Sequence, residues 1–327
     1  MRPIFILLLA LAVTSCSNSG KKSDAYLRQS IGNINSVQIV IENELWAENE
    51  VGEAIREHLA SPVDGLPQIE PLFSLTQMPP DTYDSFARTY RSFMYVELGE
   101  KDSISFRKNI YAKPQTGIFI KATTEQGLVN LINENSEKIV ATLKQAELKE
   151  KQRRIRISLM DVDSLKNDFG VSLNIPAAYR VAQQSEDLYW IRKDLKDGNT
   201  NIIIYEAPID AIEADSTAVS DIIKVRDSIG GELLILEEDG GRFVTEEAYS
   251  PFLFKTEVAG LPTYETKGTW EVKGRFIAGP FVNYAIKDEA NNRYLILEGF
   301  VHAPRVDKRD HQFEMEAILR SAKLEAL

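Results

Sequence analysis

The period of the hydrophobic pattern changes along the chain, and each change marks an element. Val37-Gln38-Ile39-Val40-Ile41 is a short apolar run suited to a strand. Val51, Ile55 and Leu59 then recur at the four-residue spacing of an amphipathic helix, which Ser61-Pro62 ends. Pro79-Pro80-Asp81 opens a short helix through Phe86, and strands follow at 92–98, 104–111 and 118–122, with 113–117 as a turn. The longest predicted helix spans 124–153, with Leu128, Leu131, Ile132, Ile139 and Leu143 as its apolar stripe. Thr123 and Gln126 stand at capping-box spacing, and the charged run 149–154 reads as a solvated helix end with cations near the C-terminus.

A second unit begins near 155–165. Strands are predicted at 171–175, 189–193 and 201–207, then a helix at 216–229 that carries Val219, Ile222, Ile223 and Ile229 on one side and is stopped by Gly230-Gly231. The last hundred residues or so hold strand patterns at 233–236, 258–267, 281–287 and 293–302, before a closing helix at 310–324 with Met315, Ile318, Leu319 and Ala322 inward. Each half therefore reads as antiparallel sheet with one or two covering helices, an α+β class. The expected division is a signal peptide at 1–15, a modified Cys16 with a tether at 16–35, an N-terminal α+β domain at 36–155 and a C-terminal α+β domain at 156–327.

The chain is acidic, with 49 Asp and Glu against 38 Lys and Arg. That balance disfavours nucleic-acid binding, which draws its affinity from neutralising phosphates, and it disfavours electrostatic adhesion to anionic lipid. Membrane contact is expected from a covalent lipid instead. Arg2, the apolar run 4–13 and Val13-Thr14-Ser15-Cys16 closely resemble the leader and lipobox of bacterial lipoproteins, in which the cysteine thiol carries diacylglycerol. Ten apolar residues are too few for a transmembrane span, which needs about 20. Cys16 is the one cysteine, so its acylation removes disulfides, thiolate zinc sites and cysteine nucleophiles. Ser17 lacks the aspartate associated with inner-membrane retention, and Ser17-Asn18-Ser19-Gly20-Lys21-Lys22-Ser23 lacks an acidic export cluster. The expected location is the outer membrane, lipid-anchored and facing the periplasm.

Candidate chemistry is sparse. His58, His302 and His311 lie at element ends without ligand-pair spacing, so each is read as surface or capping and no metal is assigned. Asp161-Val162-Asp163-Ser164 departs from a calcium loop at Leu165 and Lys166, and Ser19-Gly20-Lys21-Lys22 lies in the tether. Residues 237–242 are turn chemistry. Phosphate-loop, dinucleotide-loop and nucleophile-elbow patterns are absent, and no cofactor is implied. The segments with most character are Gly268–Val272, Gly279–Tyr284 and Glu298–Pro304 by content: aromatic and glycine-rich. Alternation puts Phe281, Asn283 and Ala285 on one sheet face and Val282, Tyr284 and Ile286 on the other. Trp270, Asn283, Tyr284 and Arg305 are the candidate binding residues, set against the plainer reading of a sheet with one core face.

Glu44-Leu45-Trp46, Val51-Gly52-Glu53-Ala54-Ile55-Arg56, Phe73-Ser74-Leu75-Thr76-Gln77, Tyr111-Ala112-Lys113-Pro114-Gln115, Gly279-Pro280-Phe281-Val282-Asn283-Tyr284 and Arg309-Asp310 follow the lipobox in order. Together they resemble the uncharacterised lipoproteins of Bacteroidota, a domain of unknown function, over nearly the whole mature chain. The resemblance implies location and a coherent fold, and it supplies no catalytic residue. From Gly170 to Lys323 the order of elements is also similar to the small α+β fold of photosystem oxygen-evolving lipoproteins, which favours an assembly or binding role over catalysis. The leading expectation is a non-enzymatic envelope lipoprotein whose domains bind a protein or ligand partner. The alternative is a hydrolase using a carboxylate pair in a cleft between the halves.

Overall fold

A computed structural model describes residues 27–47, 49–233 and 241–324. The expected signal peptide, Cys16 and most of the expected tether lie outside these residues, as do most of the strand expected at 233–236 and of the turn expected at 237–242.

In the first unit a short strand, β1 (Arg28–Gln29), precedes β2 (Ser36–Val40). Two helices, α1 (Asn43–Trp46) and α2 (Glu50–Leu59), follow; Asn49 caps α2 by accepting from the Val51 amide, and Val51, Ile55 and Leu59 are buried as the spacing predicts. Next come β3 (Ser74–Met78), β4 (Ser92–Leu98), β5 (Ser103–Lys108), β6 (Ala112–Lys113) and β7 (Thr116–Ala122). Five of these strands form one sheet in the order β3-β2-β4-β7-β5. Three of its four pairings are parallel and only β5–β7 is antiparallel, so strand direction differs from the expected antiparallel sheet. The cause is the connection: β2 reaches β3 through α2, a crossover of the length that parallel neighbours require. The short helix expected through Phe86 is two 3-10 turns, Pro80–Thr82 and Ala87–Thr89.

The helix expected at 124–153 is two, α3 (Glu125–Glu134) and α4 (Ser136–Ile155). Asn135 breaks it: the Nδ2 amide donates to the Leu131 carbonyl at 2.8 Å, drawing the backbone out of helical geometry. Leu128, Ile132, Ile139 and Leu143 nevertheless share one core with β2, β4 and β7. Thr124, rather than Thr123, is the N-cap, accepting from the Gly127 amide at 3.0 Å.

In the second unit, α5 (Asp163–Phe169) leads into β8 (Val171–Ser172), which is shorter than the strand expected there. Strands β9 (Arg180–Gln184), β10 (Tyr189–Leu195) and β11 (Gly198–Pro208) follow, then α6 (Ala218–Leu233). Gly230-Gly231 lies inside α6 instead of ending it. A Cβ on Gly230 would stand 2.5 Å from the Phe243 ring, so the glycine lets the helix lie close against the next strand. That strand is β12 (Arg242–Thr245), followed by β13 (Phe252–Val258), β14 (Leu261–Lys273), β15 (Ala278–Asp288) and β16 (Arg293–His302). The closing helix is α7 (Arg309–Leu319), shorter than expected because β17 (Lys323–Leu324) turns away to pair with β8.

Eight strands form one antiparallel sheet in the order β12-β14-β15-β16-β11-β10-β9, with β13 sharing the outer edge of β14 beside β12. The sheet curls into a half-barrel, and the whole is of α+β class. Alternation along β15 is as expected, but both faces are core. Phe281 and Ala285 pack with Phe243, Trp270 and the α6 residues Ala218 and Ile222, while Val282, Tyr284 and Ile286 pack with Leu165, Phe169 and the α7 residues Met315 and Ile318.

Candidate functional site

The candidate binding residues are not brought together. Trp270 is 3% exposed and stacks on Phe243 with ring centroids 5.0 Å apart. Asn283 is buried on the same face, where Nδ2 donates to Glu298 at 2.9 Å. Tyr284 is buried on the opposite face, and Arg305 is 80% exposed on a loop with Asp197 3.7 Å away. Trp270 and Asn283 are not surface because the sheet face expected to meet solvent is covered by α6, Tyr284 lies in the core on the α7 side, and Arg305 stands apart on its loop.

Asn283 belongs instead to a buried polar cluster that pins α6 to the half-barrel. Arg226 donates through Nε to Glu298 at 2.9 Å and through Nη1 to the Thr245 hydroxyl at 2.6 Å, while its guanidinium carbon lies 3.7 Å from the Phe281 ring centroid. Burial raises the Glu298 carboxyl, and Arg226 opposes that only in part. Among the histidines, His58 meets Asn133 at 2.9 Å, whereas burial lowers both His302 and His311, with Arg192 and Lys193 respectively adding to the effect. Among the described residues no three His, Cys, Asp or Glu side chains are grouped as metal ligands.

The arrangement with chemical character lies between the two units. The charged tail of α4 is not a solvated end: Glu147 is 0% exposed, accepting from Arg91, Ser92 Oγ and the Asn35 amide, and Glu150 is buried beneath Arg153 and Arg154. The helix runs along α7. Lys151 donates to Glu314 at 2.6 Å and Gln152 to the Ala317 carbonyl at 3.1 Å. Glu314 also takes Lys193 and, at 3.1 Å, the Tyr179 hydroxyl. Burial would raise the Glu314 carboxyl, but Lys151 and Lys193 overcome it and hold it at about 2.

A second clasp closes the other end. The loop between α2 and β3 presents Glu70, whose two oxygens accept the Lys308 and Arg309 amides at 2.8 Å each. No side chain near α7 in sequence caps it, so a carboxylate from the first unit satisfies its free N–H groups and meets the positive end of its dipole. Gly65 of the same loop presses onto β14. With φ of +79° and a would-be Cβ 2.8 Å from the Lys267 Cβ, only glycine fits there.

Beneath this loop is a cavity of about 400 Å³. Lys144, Gln145 and Leu148 of α4 form one wall, Phe254, Glu265 and Lys267 of β13 and β14 another, and Gln312, Phe313, Glu316 and Arg320 of α7 the floor. Its cations are mostly spoken for. Lys267 bridges Glu316 at 2.7 Å and Glu265 at 3.2 Å, and Arg320 donates to Glu265 at 2.7 Å and to the Tyr284 hydroxyl at 2.9 Å. Tyr284 in turn donates to Glu265 at 3.1 Å, and burial lifts its own hydroxyl well above the usual range. Burial would raise the Glu265 carboxyl as well, yet Lys267 and Arg320 keep it below its ordinary value. Gln312 is 1% exposed, and neither its amide nitrogen nor its oxygen has a partner. Lys144 has no acid within ion-pair distance among the described residues, and burial, then Lys267, lowers its ammonium.

Fold and cleft together define a two-unit α+β protein with a solvent-open, mixed apolar and charged cleft at the junction. Residues 158–321 match the model of the family described as Domain of unknown function (DUF4837), and the chain belongs to that family. Residues 30–156 match a further model, Domain of unknown function (DUF8532), so the two matches meet at the end of α4. Comparison with curated proteins gives no match.

The cleft residues carry no sequence signal. Glu70 and Lys308 stand 238 positions apart, and neither lies in a motif. The weak hints available were the uncapped start of α7 and the apolar residues interleaved with charge along 309–320.

Proposed function

We propose that this chain is a non-enzymatic envelope lipoprotein, anchored through Cys16 on the periplasm-facing leaflet of the outer membrane, and that its task is binding at the junction cleft. The observation that carries the binding reading is Gln312: an amide with both ends unpaired, buried in a cleft of ligand-pocket size. Most buried polar groups in folded proteins have partners, and a molecule seated in the cleft would supply them to Gln312. The anchor rests on the lipobox, and among the described residues no helix is long and apolar enough to cross a membrane.

Hydrolysis by a carboxylate pair is less well supported. Such chemistry needs one carboxyl kept protonated by its surroundings. Glu265 is pulled the other way, and Lys267 neutralises both it and Glu316. Native mass spectrometry of the protein extracted from intact envelopes tests binding: an adduct of defined mass is expected, lost in Phe254→Asp. Identical spectra from both, without an adduct, refute the reading. Protease shaving of whole cells tests orientation, because digestion before the envelope is permeabilised places the protein outside.

A further inference from the structure

We infer that the junction cleft takes an amphipathic anion: a small molecule with an apolar body and one negatively charged head group, seated with the head at Lys144. The inference rests on the binding reading above and adds the chemistry of the ligand.

Four cations and three acids line the cleft. Lys267 and Arg320 are consumed by Glu265 and Glu316, as described, and Arg309 donates to Asp310 at 2.9 Å and to the Pro71 carbonyl at 2.9 Å. Asp64 is exposed at the rim. Lys144 is the cation left over: it is exposed at the mouth of the cleft, and partial desolvation and then Lys267 lower its ammonium, with Glu316, Asp64 and Glu265 opposing in part. An incoming anion would give this ammonium the direct ion-pair partner that it lacks. The recess continues past this lysine. Lys144 and Lys267 also line a neighbouring cavity of about 300 Å³ that contains His58, so the ammonium stands where two spaces meet.

The remaining wall sets the other half of the ligand. Leu72, Leu148, Phe254 and Phe313 supply an apolar lining, with Phe254 still 39% exposed. Such surface beside a single free cation matches a molecule that is apolar along its body and charged at one end. Gln312 lines the same cleft, and its unpartnered side-chain amide offers N–H donors and a carbonyl acceptor to fix the ligand's orientation.

A matched pair of dyes tests this, because anilinonaphthalene sulfonate and N-phenylnaphthylamine share an apolar body and differ in the sulfonate. Each is titrated by fluorescence into the full-length chain carrying Cys16→Ser, so that no attached acyl chain competes. Saturable one-to-one binding of the sulfonate is expected, about tenfold weaker in Lys144→Gln and lost in Phe254→Asp, with the neutral dye indifferent to Lys144→Gln. Displacement by octanoate or by octyl phosphate then identifies the head group as carboxylate or phosphate. Equal binding of both dyes, unaffected by Lys144→Gln but lost in Phe254→Asp, overturns the anion and leaves the binding cleft standing. No saturable binding of either dye, or binding unaffected by Phe254→Asp, overturns both. Circular dichroism of each variant confirms that the fold is retained.

Discussion

Replacing Glu314 by glutamine removes the charge that locks α4 to α7 while keeping the shape of the side chain. In the native protein this carboxylate, only 15% exposed, faces Lys151 and Lys193 and accepts from Tyr179. A carboxyl held at about 2 instead of 4.5 carries about 3 kcal/mol in favour of its ionised form. Because the folded-state value lies below the unfolded one, the contribution is full above about pH 4.5 and is lost as pH falls towards 2. Glu314→Gln also leaves two ammonium groups facing one another. Thermal unfolding at pH 7 should therefore show a loss of about 3 kcal/mol, a fall in Tm of roughly 5 °C when the two clasped units unfold together. Repeating the comparison down the acid limb should bring the variant and the parent together, to within about 1 kcal/mol near pH 2, where the Glu314 carboxyl is about half protonated in the folded parent and most of its contribution is gone. A variant within about 0.5 kcal/mol of the parent at pH 7, or a gap that persists undiminished at pH 2, refutes the assignment of that energy to Glu314.

Gly230→Ala should cost about 1–3 kcal/mol by urea denaturation, because its methyl group meets the Phe243 ring; a neutral or stabilising effect would mean that α6 can shift outward. Glu147→Gln should cost about 3–5 kcal/mol by the same measurement, since it strands the buried Arg91 guanidinium, and a loss under about 1 kcal/mol would show that Arg91 finds another acceptor. Limited proteolysis should spare 147–156, where Glu147, Glu150 and Ile155 are buried; a first cut there would contradict the docking of α4. Cys16→Ser should abolish labelling by a palmitate analogue, and equal label in the variant would remove the lipid anchor.

Local pattern revealed much of the framework. β4 and β16 occupy the expected 92–98 and 293–302, and α2 presents the apolar face that its spacing requires. Periodicity reports which side chains share a face, not what covers it. Trp270 and Asn283 therefore read as surface, although α6 buries them, and nothing in their own segments announces that helix. Gly230-Gly231 has the composition of a stop signal, and only the approach of Phe243 shows it to be a packing contact. Strand direction in the first sheet depends on how connections cross, which alternation does not encode. The cleft is less legible still, because Lys144, Phe254 and Gln312 meet only when two separately patterned units dock.

The cap on α7 makes the helix a gauge of that docking. Its first two amides are satisfied by a carboxylate 238 and 239 residues earlier, so they gain protection only once the first unit is seated. Hydrogen exchange at Lys308 and Arg309 therefore reads the engagement of the two units separately from the stability of either one. Since the same helix floors the cleft, slower exchange at those two amides when the cleft is filled would mean that occupancy tightens the joint, coupling what the cleft holds to how firmly the halves are clasped.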